Sequence, residues 1–133
     1  MQRKVFCDTQ ALIYWALTPQ RLSQNAAAAL QTGLEQKALA CADISLWEIA
    51  MLADKRRIVL PASTELFLER LIKGLQLAVH PITPAIAVLA QASFFQHGDP
   101  ADRLIAATAL HYRAPLVTSD ARLHAIAELE TIW

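Results

Sequence analysis

Apolar residues along this chain fall into short continuous runs separated by stretches with helical spacing. "KVFCD" is a short apolar run ending in an acid, and "TQALIYWAL" follows with helical periodicity until Pro19, which reads as a strand feeding a helix. Ser23 is placed to cap a second helix, "QNAAAALQTGLEQK", whose alanines favour helix, and "ALACA" supplies a second strand. Asp43 or Ser45 opens a third helix, "LWEIAMLADKRR"; "STELFLERLIKGLQ" repeats the helical spacing and "LAVHPI" reads as extended. "TPAIAVLAQASFF" begins with a Thr cap and Pro at the first helical position, predicting a helix over 83–95. "DPADRLIAATALHYR" predicts a capped helix, "APLVTSD" a strand ending in an acid, "ARLHAIAE" a short helix and "TIW" an edge strand. Strands separated by helices predict an α/β domain, with a largely parallel sheet covered by helices on both faces. In such sheets ligands bind outside the carboxyl ends of the strands, and Asp8 and Asp120 sit at two such ends.

The length, 133 residues, suits one domain with one real core. Hydrophobic residues make up 55% and charged residues 18%, the latter below the usual share of about 25%, so part of the apolar surface is expected to meet a partner. The longest uncharged runs are interrupted by Pro, Gln and His and fall short of the roughly 20 apolar residues of a membrane span. "MQRKVFCDT" reaches Asp8 before any apolar segment forms, which is wrong for a signal peptide. No membrane segment and a cytoplasmic location are expected. Cys7 and Cys41 lie in apolar runs and are read as core packing. A net charge of zero argues mildly against a nucleic-acid partner.

The carboxylates carry the chemical interest. Glu48 lies in "ISLWEIAML", a helix apolar nearly all round, where an ionised Glu is costly without a partner. Either it faces a cleft in which a cation or water compensates it, or it pairs with a basic residue near Lys55. Asp8 and Asp120 could each be an ordinary N-cap, and Asp99 and Asp102 form a capping arrangement around Pro100. Taken singly, each aspartate reads as structural. Jointly, two strand-end acids, one acid in an apolar helix and a pair at a helix start could converge, and a hard divalent cation is the economical way to hold such a set together. The three glycines form neither a P-loop nor a G-x-G-x-x-G turn, no G-x-S-x-G elbow occurs, and His80, His97, His111 and His124 lack zinc-site spacing. Oxygen ligands point to Mg²⁺ or Mn²⁺.

"FCDTQALIYWAL", "ISLWEIAMLADKRRIVL", "DPADRLIAATAL" and "PLVTSD" resemble, in order and spacing, the PIN-domain ribonucleases, and most closely the VapC toxins of bacterial toxin–antitoxin pairs. The resemblance covers nearly the whole chain, so residues 1–133 are read as one PIN domain. It implies a three-layer α/β/α fold with a central, mainly parallel sheet, and Mg²⁺- or Mn²⁺-dependent cleavage of RNA to a 5′-phosphate and a 3′-hydroxyl. Carried over by position, Asp8 matches the first-strand acid, Glu48 the acid of "WEIA", Asp102 the acid preceding "LIAAT", and Asp120 the acid of "VTSD". Asp8, Asp102 and Asp120 are the expected metal contacts, with Glu48 orienting or deprotonating water. Asp99 and Thr118 are possible additions to this site, the latter through a hydrogen bond to a carboxylate. Gln10 stands where many relatives have His. Lys55, Arg56 and Arg103 are candidates for RNA contact, whereas Arg57 reads as solvated. The implied partners are RNA, a cognate VapB-type antitoxin and a second copy of the chain. A PIN-like domain that binds RNA or protein without cutting, or a housekeeping nuclease without an antitoxin, is the alternative.

Overall fold

A computed structural model describes residues 3–95 and 98–133. His97 therefore lies outside the described residues. Strand β1 (Val5–Cys7) leads into helix α1 (Thr9–Leu17), a 3₁₀ turn (Pro19–Arg21) and α2 (Gln24–Glu35). Then follow β2 (Leu39–Ala42), α3 (Ile44–Asp54), α4 (Thr64–Leu75), β3 (Ala78–His80) and α5 (Pro84–Leu89). The chain closes with α6 (Pro100–His111), β4 (Leu116–Val117), α7 (Ala121–His124) and β5 (Thr131–Ile132). The five strands form one parallel sheet in the order β3-β2-β1-β4-β5.

Strand periodicity divides the core into two layers. Phe6, Ala40, Ala42 and Leu116 face α5, α6 and α7, packing with Ile86, Ile105 and Leu123. Cys7, Leu39, Cys41 and Val117 face the other way, against Leu12, Leu30, Ile49 and Leu71 of α1 to α4. The result is a three-layer α/β/α fold. Cys7 and Cys41 are buried free thiols, and burial pushes both pKa values up, that of Cys41 to about 12. Among the described residues no helix is long and apolar enough to cross a membrane.

Helix starts follow the side-chain caps. Ser23 accepts from the Ala26 N–H at 3.0 Å, and Thr83 from the Ile86 N–H at 3.2 Å. Asp43 opens α3, as expected, but without a side-chain cap; its Oδ2 instead accepts from the Ile82 N–H at 3.3 Å and its own N–H donates to the His80 carbonyl, tying the end of β2 to the loop after β3. One expectation is corrected: the helix predicted over 83–95 ends at Leu89. Beyond it the N–H groups of Gln91, Ala92 and Phe95 bond three residues back, and these tighter turns bring Phe95 into the core.

Candidate active site

From β1 the chain winds outward through β2 and β3, then returns to lay β4 on the other side of β1. Connections diverge on either side of the β1/β4 pair, and in open α/β sheets a crevice forms at that switch point, beyond the carboxyl ends of the strands. Asp8 follows β1 and Thr118 to Asp120 follow β4, so the reversal of strand order brings them to one place.

Asp8 is buried and caps α1, its Oδ1 accepting from the Ala11 N–H at 2.8 Å. The Thr118 hydroxyl and the Gln10 N–H also donate to its carboxylate. Thr118 is fully buried, and its Oγ1 accepts from the Asp120 N–H at 3.1 Å, so one hydroxyl links the acids of both strands. Asp120 in turn caps α7 by accepting from the Arg122 N–H at 2.8 Å, with the Arg122 Nε 3.6 Å from the same oxygen.

Glu48 projects from α3, half-buried, and accepts from the Thr9 hydroxyl; a second hydrogen bond of 3.1 Å joins the hydroxyls of Thr9 and the buried Ser45. Among the described residues Glu48 forms no ion pair, which disposes of the salt-bridge alternative there. Asp99 caps α6 through the Ala101 N–H at 2.9 Å, and Asp102 lies in the first turn. Carboxylate oxygens of Glu48, Asp99 and Asp102 all lie within 4.8 Å of one another.

Asp8, Glu48, Asp102 and Asp120 line one cavity of about 200 Å³, together with Thr9, Gln10, Leu52 and Ser119. Asp99 lines a larger neighbouring hollow of about 440 Å³, with Trp47, Met51 and Leu104, and Glu48 borders both. Burial raises the pKa of Asp8, and the charge of Asp120 raises it further, against the lowering effect of its three hydrogen bonds. Burial likewise raises that of Glu48, reinforced by Asp99 and Asp8 and opposed by the Thr9 hydrogen bond.

These groups fit a hard divalent cation. Oxygens on opposite sides of a Mg²⁺ ion stand about 4.2 Å apart, and the Glu48, Asp99 and Asp102 cluster needs little closure to reach that span. The positive charge of a cation would also offset both unfavourable influences on Asp8 and Glu48, the cost of burying charge and the repulsion between like charges.

The basic candidates are placed elsewhere. Lys55 and Arg56 follow α3, exposed, and Arg103 donates to Gln91 Oε1 at 3.0 Å; none of the three lines the acid cavity. The residues that sequence reasoning missed are Thr9 and Ser45. The S-x-x-E spacing of Ser45 and Glu48 was available as a cue, because residues three apart share a helix face, whereas nothing local announces that Thr9, on another helix, meets both.

Comparison with known proteins agrees with this architecture. The sequence matches the family model of the PIN domain over residues 5–129. Ribonuclease VapC22 of Mycobacterium tuberculosis is 39% identical over 132 residues, spanning 97% of this chain and 98% of that protein. Among solved structures, VapBC2 from Rickettsia felis bound to a DNA fragment from their promoter superposes with a TM-score of 0.69 at 19% identity, covering 96% of each chain. A toxin–antitoxin complex from Klebsiella pneumoniae gives 0.64 at 20% identity over 95% of each chain, and FitAcB from Neisseria gonorrhoeae 0.61 at 20% identity over 96% of this chain and 95% of that one. The solved structures carry the fold, and VapC22 the closer kinship.

Proposed function

The chain belongs to the PIN-domain family and is homologous to VapC-type toxins, and from that premise we propose that it is a metal-dependent endoribonuclease restrained by a VapB-type antitoxin. The observation that carries this reading is the convergence of Asp8, Glu48, Asp102 and Asp120 on one small cavity.

Asp8, Asp102 and Asp120 would hold Mg²⁺ or Mn²⁺, with Asp102 common to this set and to the Glu48, Asp99 and Asp102 cluster. When bound, such a cation would acidify water and offset the charge of a scissile phosphate. The chain supplies the rest. Thr118 fixes Asp8 and Asp120 relative to each other, since it hydrogen-bonds both. Thr9 and Ser45 fix the Glu48 carboxyl, which accepts a proton from water positioned for in-line attack. The raised pKa of Glu48 moves it toward neutrality, where a general base works best. The antitoxin reading draws on relatives solved as toxin–antitoxin complexes, and a small adjacent reading frame encoding a DNA-binding protein would accord with it.

The test is cleavage of total RNA by purified protein in Mn²⁺ or EDTA, with mapping of the ends. Cleavage should require the metal and leave 5′-phosphates, Asp8→Asn should abolish it, and Glu48→Gln should lower kcat by about 10²–10⁴-fold. RNA left intact by the wild-type protein in both Mg²⁺ and Mn²⁺, or cut at the wild-type rate by Asp8→Asn, would sink the proposal.

A further inference from the structure

Thr118 joins the two strand-end acids through its hydroxyl, and its backbone is held on both sides as well. Its N–H donates to the Ile132 carbonyl at 3.1 Å, and its own carbonyl accepts from His124 Nε2 at 2.6 Å. The other ring nitrogen of His124, Nδ1, lies 2.9 Å from the Thr131 hydroxyl. A carbonyl can only accept, so Nε2 carries a proton and, in the neutral imidazole, Nδ1 accepts from Thr131. His124 is exposed, yet both of its nitrogens are engaged. It does not line the acid cavity.

The consequence is geometric. Asp120 caps α7, a helix of four residues in which only Leu123 is buried, so the helix has little packing of its own to fix the direction in which the acid is held. The carbonyl of Thr118 and the N–H of Ser119 share one rigid peptide plane. Holding that carbonyl therefore sets ψ of Thr118, and with it the course of the chain toward Asp120. His124 closes this loop from its far end: its N–H donates to the Asp120 carbonyl at 3.1 Å while its ring returns to Thr118. Thr131, paired with Leu116 across β4 and β5, anchors the ring to the sheet. The anchor has a force to oppose, because the charge of Asp120 acts on buried Asp8 and like charges left free move apart.

We propose that His124 is a positioning residue of the acid site, which fixes the Thr118 peptide through Nε2 and so keeps the Asp120 carboxylate beside that of Asp8. The inference rests on the metal site of the nuclease reading above and deepens it by naming a residue that acts through Thr118 without lining the cavity. The role belongs to one nitrogen. Gln can present an amide N–H close to where Nε2 stands, whereas the shorter Asn reaches only as far as Nδ1 and leaves the Thr118 carbonyl without its donor.

The test is Mn²⁺ titration followed by the electron paramagnetic resonance of the free ion, with amide hydrogen exchange measured in EDTA. Loss of a hydrogen-bonding partner behind a metal ligand weakens binding by about 10–100-fold. His124→Ala and His124→Asn should each lose about tenfold in Mn²⁺ affinity, the lower end of that range for a residue one step further back, and His124→Gln should recover most of it. In EDTA the Asp120 amide, bonded to Thr118 Oγ1, should exchange faster in the Ala and Asn variants than in wild type and the Gln variant. Wild-type affinity or wild-type Asp120 exchange in His124→Asn would overturn the proposal. So would a Gln variant no better than Asn, with affinity following melting temperature across the series, which is the signature of lost packing alone. Should His124→Ala fail to fold, the Gln and Asn variants decide in the same way. Failure of the nuclease reading is separable: the wild-type protein would then bind no Mn²⁺, while equal Asp120 exchange in the Gln and Asn variants in EDTA would overturn the role of His124 by itself.

Discussion

At the residue scale the acids pull in two directions. Asp8 and Glu48 have folded-state pKa values above their ordinary 3.8 and 4.5, so the metal-free fold favours their protonated forms. That contribution is fully present below the ordinary values and is lost as pH rises through the raised ones. In EDTA, the melting temperature should therefore fall as pH rises from mildly acidic toward neutral. Asp8→Asn, which keeps a capping oxygen for Ala11, should melt a few degrees higher than wild type at neutral pH and show a flatter profile. Identical pH profiles for the two proteins, followed by circular dichroism, would count against repulsion in the cavity. Asp99 and Asp102 separate on the same logic. Asn caps about as well as Asp, whereas Ala loses about 1 kcal/mol, and Asp99 has an observed capping bond. Asp99→Asn should keep stability and most activity, Asp99→Ala should lose stability, and Asp102→Asn should fold normally yet fail to cleave. An active Asp102→Asn enzyme would move the metal off that aspartate. The acids were legible in the sequence because strand ends and an apolar helix make a carboxylate conspicuous. Thr9 and Ser45 were not, because the role of a hydroxyl is set by what faces it in space.

At the element scale, helix starts were readable and helix ends were not. Ser23, Thr83 and Asp99 announce their helices by side-chain caps. The C-terminal ends of α2, α3, α4 and α6 turn through left-handed residues that are not glycine: Lys37, Arg56, Gln76 and Arg113 all have positive φ. After α2, for example, the Lys37 N–H donates to the Leu34 carbonyl and the Ala38 N–H to the Gly33 carbonyl, the paired bonds of a Schellman motif. With no glycine marking these turns, periodicity alone carried the expected helices past their ends, as with α2, which stops at Glu35. The two helical glycines have opposite meanings that sequence could not distinguish. A Cβ on Gly33 would meet Leu39 Cδ2 at 2.5 Å, so α2 sits on β2 only because that atom is missing, whereas a Cβ on Gly74 meets nothing within 4 Å. Gly74→Ala should stabilise by about 0.5–1 kcal/mol, and Gly33→Ala should destabilise by about 1–3 kcal/mol as the buried Leu39 is displaced. Urea titration of both variants measures this, and a stabilised Gly33→Ala would mean that α2 can shift off the sheet without loss.

At the scale of the whole molecule, fold class was legible while strand order was not, because pairing between β1 and β4 is set by non-local packing that no local pattern encodes. That same pairing brings Asp8 and Asp120 together, so metal binding there would be linked to global stability. Cation at about 100 times its Kd should add about 2.7 kcal/mol to unfolding free energy, which opposes the loss expected from paired acids. Association is the other property of the whole molecule on which composition bears. Hydrophobic residues make up 55% of the chain, and after the core is built Trp47, Val59 and Val88 remain 57%, 86% and 74% exposed. A standard interface removes about 800 Å² per partner, close to a tenth of the 7382 Å² surface of one chain, so a dimer can cover much of this apolar excess without disturbing the fold. Light scattering at micromolar concentration should give twice the 14.7 kDa chain mass, and the melting temperature should rise with protein concentration, since dissociation accompanies unfolding. A soluble species that stays at the chain mass, with a melting temperature independent of concentration, would show that these side chains are tolerated in water by a monomer.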